Sequence, residues 1–149
     1  MTFTRRRNNA LVVLFTTLAM STDSLAEIIQ IEFTQFDTYS IEVAHIGVGD
    51  TVEWLPKNKG HNVEFLAGPD IADLPPKSNM NEFHSVLFER PGVYLYGCTP
   101  HLNIGMLGLV VVGNDLHNIA EIGNIDLPNV AKSVLMSLIR DAQSSAKSN

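Results

Sequence analysis

Between Ile28 and Val112 the chain is cut into about seven short apolar-polar alternating runs, each closed by turn residues. Ile29, Ile31 and Phe33 share one phase, Tyr39, Ile41 and Val43 another, and Val52 and Trp54 a third. Further runs are expected at His61–Leu66, Phe83–Phe88, Val93–Cys98 and Leu107–Val112. Gly47-Val48-Gly49-Asp50 and Arg90-Pro91-Gly92 read as tight turns, and Gly68 to Asn81, with three prolines, as a long surface loop. Short strands in this number have too little apolar surface to stand alone. They stack as two sheets or close into a small barrel.

After Val112 the period changes. Asn114 or Asp115 can cap a helix over about 115–122, with Gly123 as its stop. A second helix is expected over about 128–145, with Pro128 in its first turn. Val130, Val134, Leu135, Leu138 and Ala142 form its apolar stripe. That stripe is expected to pack on the sandwich rather than to bind a partner.

The first 26 residues read as a secretory signal rather than as fold. Arg5, Arg6 and Arg7 precede an eleven-residue apolar stretch, Ala10 to Met20, and Ser24-Leu25-Ala26 supplies small residues for cleavage. An apolar stretch this short falls well below the roughly 20 residues a spanning helix needs. Residues 27–149 are then expected to form one domain in the periplasm, with no membrane segment. The whole chain has net charge −6, and loss of the leader makes it −8 over 123 residues. An acidic balance argues against general nucleic-acid binding. The lone cysteine, Cys98, excludes an internal disulfide. In an oxidising compartment a single thiol calls for burial, an intermolecular pair or a metal.

The residues that carry chemistry cluster in Cys98-Thr99-Pro100-His101-Leu102-Asn103-Ile104-Gly105-Met106, with His61 upstream after Asn58-Lys59-Gly60. Singly, Cys98 reads as a core thiol, His61 as a strand-edge histidine and Met106 as core filler. Together, one thiolate, two imidazoles and a thioether are the donor set of a mononuclear blue-copper site. Soft sulfur suits Cu(I), and imidazole keeps Cu(II) acceptable. His45, His84 and His117 have no such company and read as surface or locally bonded histidines.

At these positions the chain resembles the cupredoxins, and the pseudoazurins in particular. The resemblance is carried by Gly60-His61-Asn62-Val63-Glu64, by Cys98-Thr99-Pro100-His101 with Gly105-Met106 at the same spacing, by Val48-Gly49-Asp50-Thr51-Val52, and by two helices after the last strand. It covers roughly residues 43–139. It implies a mainly β fold, an eight-stranded Greek-key sandwich with two C-terminal α-helices. It also implies one type 1 copper ion, alternating between Cu(I) and Cu(II), with His61, Cys98, His101 and Met106 as ligands. The implied role is periplasmic electron transport as a monomer, not catalysis. Redox partners would be of the kind of a copper nitrite reductase, a cytochrome c or a dehydrogenase.

Neighbouring residues add expectations of their own. A hydrogen bond between Asn62 and Thr99 would lock the two ligand segments together. The Asn62 N–H is expected to reach the Cys98 sulfur, while Pro100 has no N–H to add. Gly97 stands where pseudoazurins often carry lysine, and Leu102 and Ile104 alter the ligand loop. Docking is therefore expected on an apolar patch of Pro100, Leu102, Ile104 and Leu107 around His101. Lys57, Lys59 and Lys77 would form a thin basic rim. Rival readings are a periplasmic copper chaperone or store, an enzyme with Cys98 as nucleophile and a histidine base, and a metal-free adhesion sandwich.

Overall fold

The computed structural model describes residues 25–147. Of the expected export segment, residues 1–24 lie outside the described residues. Seven strands follow in order: β1 Ile28–Glu32, β2 Val43–Ile46, β3 Asp50–Leu55, β4 Glu64–Ala67, β5 His84–Phe88, β6 Gly92–Gly97 and β7 Leu107–Val112. Two helices close the chain, α1 Ile119–Gly123 and α2 Asn129–Ala146. One sheet has the order β1-β3-β5 and the other β2-β7-β6-β4, so the chain crosses between sheets after each of β1, β2, β3, β4 and β5 and stays in one sheet only from β6 to β7. The β1-β3 and β2-β7 pairs are parallel and the remaining pairs antiparallel. This is the expected sandwich with C-terminal helices.

The core between the sheets explains the period of two. Ile31, Val52 and Trp54 from one sheet meet Phe65, Tyr96 and Val110 from the other. A column of edge-to-face rings runs through it. Trp54 meets Tyr96 at 5.2 Å, Tyr96 meets Tyr39 at 4.8 Å, Tyr39 meets Phe33 at 5.9 Å, and Phe33 meets His61 at 5.8 Å. Such pairs contribute about 0.5–1.5 kcal/mol each beyond their buried area. Gly108 makes room for the column, since a Cβ there would stand 2.3 Å from Tyr96 Cζ.

β6 and β7 are buried at every position. Their second face lies under α2, where Leu95, Leu109 and Val111 meet Leu135, Leu138 and Ala142. Coverage on both faces is why Leu107–Val112 reads as an unbroken apolar run.

Several expectations shift. Tyr39 and Phe33 form an isolated bridge rather than a strand, which leaves seven strands and not eight. In β2 it is Ala44 and Ile46 that enter the core between the sheets, while Val43 turns toward α2. The run from Tyr39 therefore changes phase before β2 begins. His61, Asn62 and Val63 precede β4 as non-strand backbone. Helix α1 begins at Ile119, because Asp115 Oδ1 accepts from the His117 N–H at 2.8 Å and makes a turn there. On α2, Val130 is exposed and Ala131 and Ile139 take part in the buried stripe. His45 is not a surface residue in its polar atoms, for both ring nitrogens are buried without a partner.

Candidate metal centre

Two loop segments at one end of the sandwich bring three donors together. The first, Gly60–Val63, enters β4. Gly60 has φ of 96° and its N–H donates to Asn81 Oδ1, while the Asn81 N–H donates to the His61 carbonyl at 2.8 Å. Ser78 clips the next residue from both sides. Its N–H donates to the Val63 carbonyl at 2.9 Å, and its Oγ accepts from the Val63 N–H at 2.8 Å. The Tyr39 hydroxyl donates to the Asn62 carbonyl at 2.9 Å. This polar clasp buries His61 to 2% exposure.

The second segment leaves β6 at Cys98 and becomes a 3-10 helix, Thr99–Ile104, before β7. Pro100 suits its first turn, where no N–H partner is needed. The stretch expected as a loop is thus a short helix. Its end at Gly105 has φ of 87°, and the Gly105 N–H donates to the Leu102 carbonyl at 3.0 Å. A Cβ on Gly105 would stand 2.7 Å from Val134 Cγ2, so glycine lets the ligand loop rest on α2. Met106 is fully buried beside Cys98. Its N–H donates to the His101 carbonyl at 3.2 Å, and its own carbonyl accepts from the Cys98 N–H at 3.0 Å.

His61 Nδ1 and His101 Nδ1 lie 3.1 Å apart, and Cys98 Sγ lies 3.8 Å from the first and 3.6 Å from the second. A first-row ion with bonds of about 2.0–2.3 Å to nitrogen and sulfur would set trigonal donors roughly 3.5–3.8 Å apart. The sulfur–nitrogen sides fit that triangle, and the nitrogen–nitrogen side is somewhat tighter. Two imidazoles and a thiol match a type 1 copper site in spacing, and the buried Met106 supplies the thioether that completes the donor set in chemistry. His45, His84 and His117 lie outside this group.

The electrostatics act in opposite senses on the two buried donors. Burial pushes the Cys98 thiol above its ordinary range, while the backbone N–H groups of Asn62 and His101 favour its thiolate. The His101 N–H itself donates to the Cys98 carbonyl at 3.1 Å. Burial, with the neighbouring His101, pulls His61 below the usual imidazole range, against the opposing effect of Asp37. Neutral imidazole is the ligand form.

The expected link between the segments is present as a two-way latch. Asn62 Nδ2 donates to Thr99 Oγ1 at 3.0 Å, and Asn62 Oδ1 accepts from the Thr99 N–H at 2.8 Å. The Thr99 hydroxyl then donates to Glu64 Oε2 at 2.6 Å, which also accepts from Lys77 Nζ at 3.1 Å. The Thr99 bond, with Lys77, holds the Glu64 carboxyl below its ordinary range.

Of the expected docking residues, Pro100 and Ile104 are exposed and Leu102 half-buried against the α2 cluster. Leu107 is fully buried, because it begins β7 under α2, and drops out of the patch. Gly97 is buried too, and a Cβ there would stand 3.0 Å from Leu107 Cδ2 and 3.2 Å from the Met106 carbonyl. A side chain at that position would require Leu107 and its neighbours to give by a few tenths of an ångström. Sequence reasoning missed Ser78, Asn81 and Asp37. The first two sit in the long loop, where only their unusual supply of polar side chains hints at a clasp.

Residues 25–113 match the model of copper binding proteins of the plastocyanin/azurin family. The chain is 44% identical over 73 residues to a pseudoazurin of Methylorubrum extorquens, covering 48% of this chain and 49% of that one. The matched stretch spans between 49% and 60% of the first curated relatives' length. Among solved structures, a Sinorhizobium pseudoazurin superposes with TM-score 0.72 at 30% identity, over 79% of this chain and 98% of that one. A pseudoazurin from Methylobacterium extorquens AM1 gives TM-score 0.69 at 27% identity, over 76% and 98%. With the sandwich, the two closing helices and the His-Cys-His triangle all in place, the chain belongs to the plastocyanin/azurin family of copper-binding proteins, where it is similar to the pseudoazurins.

Proposed function

We propose that this protein is a one-electron carrier whose copper is held by His61, Cys98, His101 and Met106. The observation that carries the reading is the contrast in burial around the donor triangle. Cys98 and Met106 are 0% and 1% exposed, whereas the His101 side chain is 28% exposed. Copper there would supply the Cu(I)/Cu(II) couple. The chain's residues do the rest. The Asn62–Thr99 latch and the Gly105 seat on α2 hold the donors still, so the same site serves both charge states. The edge of His101 offers the way out to a partner, framed by Pro100 and Ile104. No substrate chemistry of the protein's own is proposed.

The partner is another redox protein. A copper nitrite reductase, a cytochrome c or a dehydrogenase fits the family precedent. The basic rim that would steer an acidic partner is largely neutralised. Lys57 lies 3.9 Å from Glu32 and Lys77 lies 3.1 Å from Glu64. Transient encounters of this kind are small and charge-steered. Transfer rates to a partner should therefore fall only shallowly with salt; a steep fall would contradict the neutral rim.

We also propose export to the periplasm with cleavage after Ala26, and a monomer of residues 27–149. The Glu27 N–H donates to Asp50 Oδ1 at 2.8 Å, and Asp50 is largely buried. Cleavage at that bond would turn this N–H into an ammonium facing a carboxylate. Mass spectrometry of the exported protein tests the site, and a start other than Glu27 refutes it. Among the described residues no helix is long and apolar enough to cross a membrane.

Voltammetry of the copper-loaded protein separates a carrier from a copper chaperone or store. A reversible one-electron wave that survives repeated cycling is expected. Loss of the metal on reduction would favour the chaperone.

A further inference from the structure

Asp37 is the acidic residue nearest the donor triangle. It stands at the tip of a tight turn between the bridged residues Phe33 and Tyr39. Two threonines clip that turn shut. Thr34 N–H donates to the Thr38 carbonyl at 2.9 Å, and the two hydroxyls lie 2.7 Å apart. The base of the turn is anchored in the core by Phe33 and Tyr39, both essentially buried. The turn therefore does not swing freely. It aims Asp37 at the metal centre. Asp37 Oδ1 lies 3.7 Å from His61 Nε2 and 3.7 Å from His101 Nδ1.

Both separations exceed hydrogen-bond length, so the carboxylate acts on the imidazoles by its field rather than by a shared proton. Among the described residues no lysine or arginine lies within 4.0 Å of Asp37, and no other carboxylate lies that close to either ring. Its charge is thus not cancelled by a neighbour, and it faces two of the three donors at once. A negative charge beside a metal site distinguishes the metal's charge states. It stabilises a divalent ion more than a monovalent one, by an amount that solvent screening reduces but does not abolish.

We propose that Asp37 is a charge-selecting residue of the copper site, favouring divalent over monovalent metal and so drawing the reduction potential down. The inference rests on the site assigned above.

The test is Asp37→Asn in the full chain. Asparagine keeps the shape and, like aspartate, tolerates the φ of 54° found at this position, so the turn is preserved. Two probes are compared on the apoprotein, Zn(II) and Cu(I), each against a chelator of known affinity. Zn(II) binding should weaken roughly fivefold, the low end for unit charges near 4 Å when one is partly exposed to water. Cu(I) binding should change by much less. The potential of the copper-loaded variant should rise by about 40 mV, which is fivefold converted at about 59 mV per tenfold for one electron. Asp37→Glu should stay near the parent, and Asp37→Lys should move further in the direction of the asparagine variant. Equal weakening for Zn(II) and Cu(I) would show Asp37 to be scaffolding and overturn the proposal, as would no change in either. These outcomes leave the copper assignment standing if the parent protein still turns blue with Cu(II). A parent that never turns blue removes the site and this proposal together.

Discussion

The two segments that carry the donors are held by opposite physics. The Gly60–Val63 arm is clasped by polar side chains, Asn81, Ser78 and the Tyr39 hydroxyl, each satisfying a backbone group that leaves the sheet. The Cys98–Met106 arm is a backbone-bonded 3-10 turn laid on an apolar bed, with Leu102 and Gly105 against α2. The first arm buries its histidine and the second lets its histidine reach the surface. A polar clasp suits an arm that must stay put in the interior, because leaving its backbone groups unpaired there costs about 1–3 kcal/mol each. An apolar seat suits an arm whose outer edge must remain free of side-chain partners. Beside the donors themselves, the Asn62–Thr99 latch ties the two arms together by side chain.

The comparison breaks most severely at the apolar seat. Gly105→Ala must place a Cβ against Val134 and hold a left-handed backbone. A loss of about 2–4 kcal/mol is expected from overpacking and the φ penalty together, read as a lower urea midpoint of the apoprotein. Adding Val134→Ala should recover part of it. No recovery would mean that the loop does not lean on α2 as described.

Cutting the latch comes next. Asn62→Leu removes a side chain that pairs twice with Thr99, and a loss of about 1–3 kcal/mol is expected with a broadened or shifted visible band. An unchanged band and potential would show that the latch does not govern the donors. Ser78→Ala, which strips only the clasp, should cost about 1–2 kcal/mol and leave the band position alone. A shifted band there would blur the distinction between the arms.

Much of this plan was legible from the chain. The alternation of Val52 with Trp54 announced one sheet face, and the unbroken Leu107–Val112 announced a strand covered twice. The spacing of Cys98, His101 and Met106, with His61 after a glycine, announced the donor set because a single loop must present them all. The expected Asn62–Thr99 bond is there for the same reason, since each follows a donor. What could not be read depends on contacts between segments far apart in sequence. Asp37 meets the site only because the Phe33–Tyr39 bridge folds its turn over His61. Ser78 and Asn81 matter only because the long loop comes back across the sheet. The phase change before β2 was hidden because both faces of that strand are covered, one by the other sheet and one by α2.

The smallest expected effect is on pH dependence. Thr99→Val removes the bond that does most to hold Glu64 below its ordinary range. A carboxyl depressed in the folded state adds stability above its unfolded pKa, near 4.5, and loses it as pH falls through the folded value. The gap between parent and variant should therefore be widest at neutral pH and shrink on acidification below about pH 4.5. A gap that stays constant across that range would show that Glu64 takes no part.

The central claim is that one buried thiol, Cys98, completes a copper site with two histidines. Titrating Cu(II) into the purified protein while recording the visible spectrum tests it directly. The account predicts an intense blue charge-transfer band that saturates at one equivalent and is abolished in Cys98→Ser. A protein that binds copper without that band, or keeps it in the serine variant, contradicts the account.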